Sequence, residues 1–251
     1  MQNIGIYIIG DEILSGKRED KHLSRVIQIL NARGLSLAWA EYLGDDPVRL
    51  AASFKRSLAT SDIVFSFGGI GATPDDFTRQ AAAAALDVPI VRHAGAVAEI
   101  EAQFAEDAYP KRVLMADFPL GAALIPNPVN RCAGFSCNAH YFLPGFPQMS
   151  WPIMEWVLTT HYTHLFHQIK LVEKAINVYD AGESQLIDLM NDIVKKHPDS
   201  KLFSLPKLGQ HRKIELGVIE LGIKGQENDV LLAIADIKAG VTALGFAWDE
   251  R

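Results

Sequence analysis

The order of apolar runs and helical periods constrains the fold of this chain more than any other feature. Residues 4 to 9 form an apolar run closed by Gly10, and from Asp20 to Arg33 the spacing of Leu23, Val26, Ile27 and Leu30 gives one helical face that ends at Gly34. Residues 35 to 43 read as a second strand, Asp46-Pro47 opens a second helix that buries Leu50, Phe54 and Leu58, and Ser61-Asp62 leads into a third strand, Ile63-Val64-Phe65-Ser66-Phe67. A third helix is expected directly after the glycines at 68, 69 and 71. Strands and helices alternating through short links imply a parallel sheet with right-handed crossovers and helices on both faces. Such sheets bind ligands beyond the carboxyl ends of their strands, so the loops beginning at Gly10, Gly44 and Gly68 are expected to share one rim.

The third loop, Gly68 to Thr78, carries the chemistry. Gly68, Gly69 and Gly71 permit positive φ and a close approach of backbone N–H groups to an anion, which makes them candidates for holding a phosphate. Asp75 and Asp76 could hold a divalent cation bridging to that phosphate, and Thr73 and Thr78 offer hydroxyl donors. Asp75, beside Pro74, reads equally as a helix cap, and Asp46 before Pro47 as another. Asp45 and Glu12 are either rim carboxylates or solvated loop residues. Mg²⁺ or Co²⁺ held by Asp76 and Asp45, with Glu12 nearby, would neutralise a pyrophosphate, and Lys111 or Arg112 could clamp it.

Farther on, residues 95 to 108 suggest a helix, and Pro119, Gly121, Pro126 and Pro128 punctuate an irregular stretch around Ala122 to Ile125. Phe135 to Cys137 and His140 to Leu143 read as a hairpin around Asn138-Ala139, with Pro144 to Pro147 leading into another helix and forming a fourth loop on the same rim if the second strand runs parallel. From Ile169 onward the pattern becomes strand, helix with Leu186, Leu189, Met190 and Ile193, strands near 201 to 205 and 212 to 222, and a last helix with Val230, Ile234, Ile237 and Val241. Two domains are expected, residues 1–165 and a small α+β module over 168–251.

The net charge of −6 over 251 residues argues against a nucleic-acid partner and for a small phosphorylated ligand. Lys195, Lys196, Lys201, Lys207, Arg212 and Lys213 read as a solvated face. Two cysteines fit a reduced cytoplasmic setting, and no run suggests a membrane span or a signal peptide. His161, His164 and His167 rotate around a helix rather than sharing a stripe, a poor metal set. Trp151, Trp156 and Tyr162 offer aromatic surface for self-association or for an interdomain seam.

The run from Gly68 through Thr73, Asp75, Asp76 and Thr78 to Arg79 resembles the signature of the molybdopterin-binding domain, and specifically its competence/damage-inducible protein A branch. Gly10-Asp11-Glu12-Ile13-Leu14-Ser15-Gly16, Gly44-Asp45, Pro126-Asn127-Pro128 and Leu143-Pro144-Gly145-Phe146-Pro147 match four further elements of that branch in order, over residues 4 to about 160. The resemblance implies a three-layer α/β/α sandwich with a mainly parallel sheet, a homodimer or homotrimer, and a rim for a pterin or nucleotide phosphate, molybdopterin among them, with Asn127, Pro144 and Gly145 joining the glycines there. It also implies a choice of activities: metal-dependent pyrophosphate hydrolysis of ADP-ribose-like or FAD-like compounds, molybdopterin binding without chemistry, or a scaffold acting through the small domain. Many members continue into an amidase domain, for which the present chain has no room. Lys21 and His22 stand where the branch carries Thr and Asn, and Met149 where it carries Glu.

Overall fold

The computed structural model describes residues 2–168, 171–207 and 217–251. Two compact units divide the chain, Met1–Phe166 and His167–Arg251.

In the first unit the alternation takes physical form as β1 (Ile4–Ile9), α1 (Asp11–Leu14), α2 (His22–Asn31), β2 (Trp39–Leu43), α3 (Pro47–Leu58), β3 (Ile63–Phe67) and α4 (Thr78–Leu86). Then come β4 (Ile90–Arg92), α5 (Ala94–Phe104), β5 (Asp117–Pro119), β6 (Ala123–Ile125), β7 (Gly134–Cys137), β8 (His140–Leu143) and α6 (Pro147–His161). Six strands form one sheet in the order β2-β1-β3-β8-β7-β6. The first four are parallel, whereas β7 and β6 join antiparallel through the hairpin at Asn138-Ala139. Every residue of β1 and β3 is buried, as expected of central parallel strands covered on both faces.

Alternate side chains feed two cores. Ile6, Ile8, Phe65 and Phe67 pack under Val26 and Leu30 of α2 and Ile153, Met154 and Val157 of α6. Tyr7, Ile9, Val64 and Phe142 pack under Leu50 and Phe54 of α3, Ala81 and Ala82 of α4, and Ile100 of α5. The result is the three-layer sandwich with a mainly parallel sheet. Each fully buried Leu or Phe contributes roughly 1.5–3 kcal/mol relative to exposure. Tyr162 belongs to the first core, its hydroxyl 2.7 Å from that of Tyr141, which removes it from the expected aromatic surface. The small β4-β5 pair was not foreseen, because three-residue strands carry too little pattern to read.

The second unit comprises β9 (Leu171–Ala181), α7 (Glu183–Lys196), β10 (Lys201–Lys207), β11 (Gly217–Gln226), α8 (Glu227–Ala243) and β12 (Trp248–Glu250). Its antiparallel sheet runs β10-β11-β9-β12, and Ile176, Val178, Leu221 and Ile223 pack against Leu186, Ile193, Val230 and Ile237. The strand expected from Ile169 and the one expected over 212 to 222 each begin outside the described residues, as do Arg212 and Lys213. Among the described residues no helix is long and apolar enough to cross a membrane.

Candidate functional site

Beyond the carboxyl ends of β1, β2, β3 and β8 lies a cavity of about 1000 Å³, lined by Glu12, Asp45, Gly68 to Thr73, Asp75, Asp76 and Pro144 to Met149, among others. The loops that the sequence assigns to one rim therefore meet there.

The first two loops clasp each other. The Asp11 amide donates to Asp45 Oδ2 at 2.9 Å, and the Asp45 amide donates to Asp11 Oδ1 at 3.2 Å. Partial burial pushes the Asp45 carboxyl above its ordinary value; the Asp11 amide opposes the shift, while the charges of Asp11, Glu12 and Asp75 add to it. Asp46 caps α3, its Oδ1 accepting from Val48 N at 2.9 Å and Arg49 N at 3.0 Å.

In the glycine loop, Gly68 has φ 110° and Gly69 φ 68°. A Cβ at Gly68 would strike the Ile9 carbonyl, and one at Gly69 the Thr78 hydroxyl, so no larger residue fits this path. The Gly68 amide is used within the sheet, donating to Leu143 O at 3.0 Å. The next four, those of Gly69, Ile70, Gly71 and Ala72, donate to no acceptor among the described residues. Four consecutive free donors on a cavity wall can surround an anion. Asp76 closes the loop from outside: its Oδ2 accepts from the Thr73 amide at 2.9 Å and from the Thr73 hydroxyl. Arg79, 4% exposed, ties the loop to the start of β5 by donating to Gly71 O at 2.5 Å and Asp117 O at 3.1 Å.

Several expectations need correction here. α4 does not start at the glycines but at Thr78, and its N-cap position is Phe77 without a side-chain bond, so Asp75 is not the cap. Thr78 is fully buried and donates to Gly68 O at 3.0 Å, which spends its hydroxyl on shaping the loop. Asn127 lies off the cavity wall. Its amide donates to Asn130 Oδ1 at 2.7 Å and Cys132 O at 2.9 Å, and its Oδ1 accepts from Val129 N at 2.9 Å, so it holds its own turn. Lys111 and Arg112 are also off the wall; Arg112 donates to Asp107 O at 2.7 Å and lies 4.8 Å over the Phe104 ring.

Two helix starts on the wall differ: at α2 the His22 amide donates to Asp20 Oδ1 at 2.7 Å, whereas α6 has no side-chain cap. Phe146 occupies its N-cap without a side-chain hydrogen bond, and Pro147, Gln148 and Met149 of its first turn line the cavity. The Gln148 amide has no acceptor among the described residues, whereas Pro147 has no N–H and the Met149 amide donates to Phe146 O at 3.0 Å; the helix start still places partial positive charge there. Pro144 and Gly145 bring this helix against the glycine loop: a Cβ on Gly145 would stand 3.3 Å from Gly68 Cα.

Side chains that sequence reasoning did not assign complete the wall. Arg18 pairs with Glu12 at 3.5 Å, and Lys21, exposed, has no partner among the described residues. His22 is buried, stacks on Phe67 at 4.6 Å and donates from Nε2 to Gly145 O at 3.1 Å, leaving Nδ1 without a partner. Burial pushes its imidazole below the ordinary value, against the Gly145 bond and the Asp20 charge. The available signal was the departure at Lys21 and His22 from the family pattern. Among the described residues, no three His, Cys, Asp or Glu side chains stand together so as to hold a metal ion unaided.

These features define a doubly wound α/β domain with a ligand-sized cavity at the carboxyl edge of its sheet. The family description "Probable molybdopterin binding domain" matches residues 5–164, and the chain belongs to that family. A CinA-like protein of Syntrophotalea carbinolica is 30% identical over 192 residues, covering 73% of this chain and 47% of the relative. A protein of Lacticaseibacillus paracasei described as competence-damage inducible is 28% identical over 202 residues, covering 77% of this chain and 49% of the relative. The chain thus spans about half the length of these curated relatives. The crystal structure of a CinA protein of unknown function from Thermoplasma acidophilum superposes with a TM-score of 0.58 at 26% identity, over 63% of this chain and 98% of that one. The branch that the five motifs resemble is the one to which these relatives' names refer.

Proposed function

We propose that this chain binds a phosphate-bearing pterin or nucleotide in the rim cavity. The observation that carries the reading is the row of unpaired amides at Gly69, Ile70, Gly71 and Ala72 beside the uncapped start of α6. An anion there would accept hydrogen bonds from amides that have no acceptor among the described residues, and a volume of about 1000 Å³ leaves room for an organic moiety. Molybdopterin, ADP-ribose and FAD all meet this description. Calorimetry with the three compounds, each with and without Mg²⁺, tests it: at least one is expected to bind, and binding of none overturns the reading. Self-association into a dimer or trimer belongs to the same proposal and is read by sedimentation.

A second reading adds hydrolysis of a pyrophosphate, and the presence of Glu12, Asp45, Asp75 and Asp76 on the same wall favours it. Asp76 and Asp45 would hold Mg²⁺ or Co²⁺ together with phosphate oxygens, since Mg²⁺ is commonly bound by one or two carboxylates plus substrate phosphate. That demand fits a wall on which no three such side chains gather without a ligand. The cation would neutralise the phosphoanhydride, and the loop amides would stabilise charge developing on phosphorus. Asp76→Ala is expected to abolish turnover of ADP-ribose or FAD in the presence of Mg²⁺ or Co²⁺. A wild type that turns over neither compound with either ion ends the hydrolase reading and leaves binding alone.

A further inference from the structure

We infer that Lys21 is the cation this chain itself supplies to the ligand's phosphate, so that phosphate binding at the rim proceeds without a divalent ion; this rests on the phosphate reading above. The cavity wall carries five carboxylates, Glu12, Glu19, Asp45, Asp75 and Asp76, against the two cations Arg18 and Lys21. A phosphate entering this field is repelled unless positive charge stands beside it. Arg18 is engaged with Glu12 at 3.5 Å and lies 5.9 Å over the Phe146 ring. Among the described residues Lys21 has neither an ion-pair nor a hydrogen-bond partner, which leaves all three ammonium donors available.

The backbone beneath Lys21 is fixed although its side chain is free. Asp20 accepts from the His22 amide at 2.7 Å and from the Leu23 amide at 3.2 Å. The His22 ring is pinned by its stacking on Phe67 and its bond to Gly145 O at 3.1 Å. That bond joins the segment of Lys21 to the loop that precedes α6, so ammonium, helix start and glycine amides belong to one assembly. The carboxylates, by contrast, are partly spent: one oxygen of Asp76 serves Thr73, and one oxygen of Asp45 serves the Asp11 amide. A lysine on a fixed base thus does what a metal would otherwise have to do, which is to offset the phosphate charge.

Titration of the chain with ADP by calorimetry, in EDTA and at low salt, tests the inference. The wild type is expected to bind in EDTA, Lys21→Gln to bind roughly tenfold more weakly with a shallower salt dependence, and Lys21→Arg to keep most of the affinity. Lys21→Gln binding within twofold of the wild type in EDTA overturns the inference and leaves the phosphate reading standing, as does wild-type binding that vanishes on chelation and returns with Mg²⁺. A wild type that binds ADP under neither condition overturns the inference, and the phosphate reading falls with it if molybdopterin, ADP-ribose and FAD also fail to bind.

Discussion

Helices α3 and α6 leave the same edge of the sheet and both place proline in their first turn, yet one start is closed and the other open. At α3 the carboxylate of Asp46 takes the Val48 and Arg49 amides, so its first-turn donors are consumed within the protein. At α6 the same position is Phe146, whose side chain offers no acceptor; its carbonyl takes the Met149 and Ser150 amides at 3.0 Å, and the Gln148 amide is left on the cavity wall without an acceptor among the described residues. Two helix starts with similar sequence punctuation therefore do opposite work, one as a structural cap and one as part of a candidate anion site. The residue before the proline decides which.

The largest expected effect lies at the far end of α3, where His140 at the base of β8, the strand that leads to α6, meets Ser57 in the last turn of α3, with Nε2 2.8 Å from the hydroxyl. Burial pushes His140 from 6.5 to about 4, with the Asp62 charge opposing. Because the folded value is the lower one, the unfolded chain takes up the proton first as pH falls. Stability is full above about 6.5 and is lost between there and about 4, by roughly 3 kcal/mol from this group alone. Urea unfolding followed from pH 7.5 to pH 4 is expected to show this loss in the wild type and a flatter profile in His140→Gln, whose amide can still meet Ser57; identical profiles refute it. His22, also lowered by burial, adds to the loss with the same sign in both proteins.

Next in size is an exchange of character between the helix starts. Phe146→Asp installs at α6 the cap that α3 already has, and its carboxylate then competes with a bound phosphate for the same donors. ADP affinity is expected to fall about tenfold, a loss of about 1.4 kcal/mol, while thermal stability holds or rises. Unchanged affinity would place the anion away from α6.

The smallest effect lies at α3. Asp46→Ala is expected to cost about 1 kcal/mol of stability in chemical denaturation and to leave ADP affinity within twofold. A loss of binding that matches or exceeds that of Phe146→Asp would erase the distinction between the closed and the open start.

Much of this was legible in the sequence. The spacing of Leu50 and Phe54, the Asp46-Pro47 cap and the hairpin at Asn138-Ala139 each rest on local rules that the fold respects. The glycines at 68 and 69 were legible too, because only glycine tolerates their φ values without strain. Site assignments made by motif fared unevenly for a physical reason. A motif names residues without saying which hydrogen bonds they have already made, so Thr78 and Asn127 read as ligand contacts although both are committed to backbone or neighbouring side chains. The loop from Pro144 to Pro147 joins the rim because β8 runs parallel to β3, the condition on which the sequence places it there, and it carries the start of α6 onto the cavity wall.

By itself the sequence determined the alternation of strands and helices, hence a parallel sheet and a common rim for its loops, since hydrophobic period and turn chemistry are local properties. Only the tertiary structure decided which donors and charges on that rim remain unspent: the amides of Gly69 to Ala72, the start of α6 and the ammonium of Lys21. Whether a polar group is satisfied depends on what distant segments bring within reach of it, and that is fixed only when the strands are laid side by side.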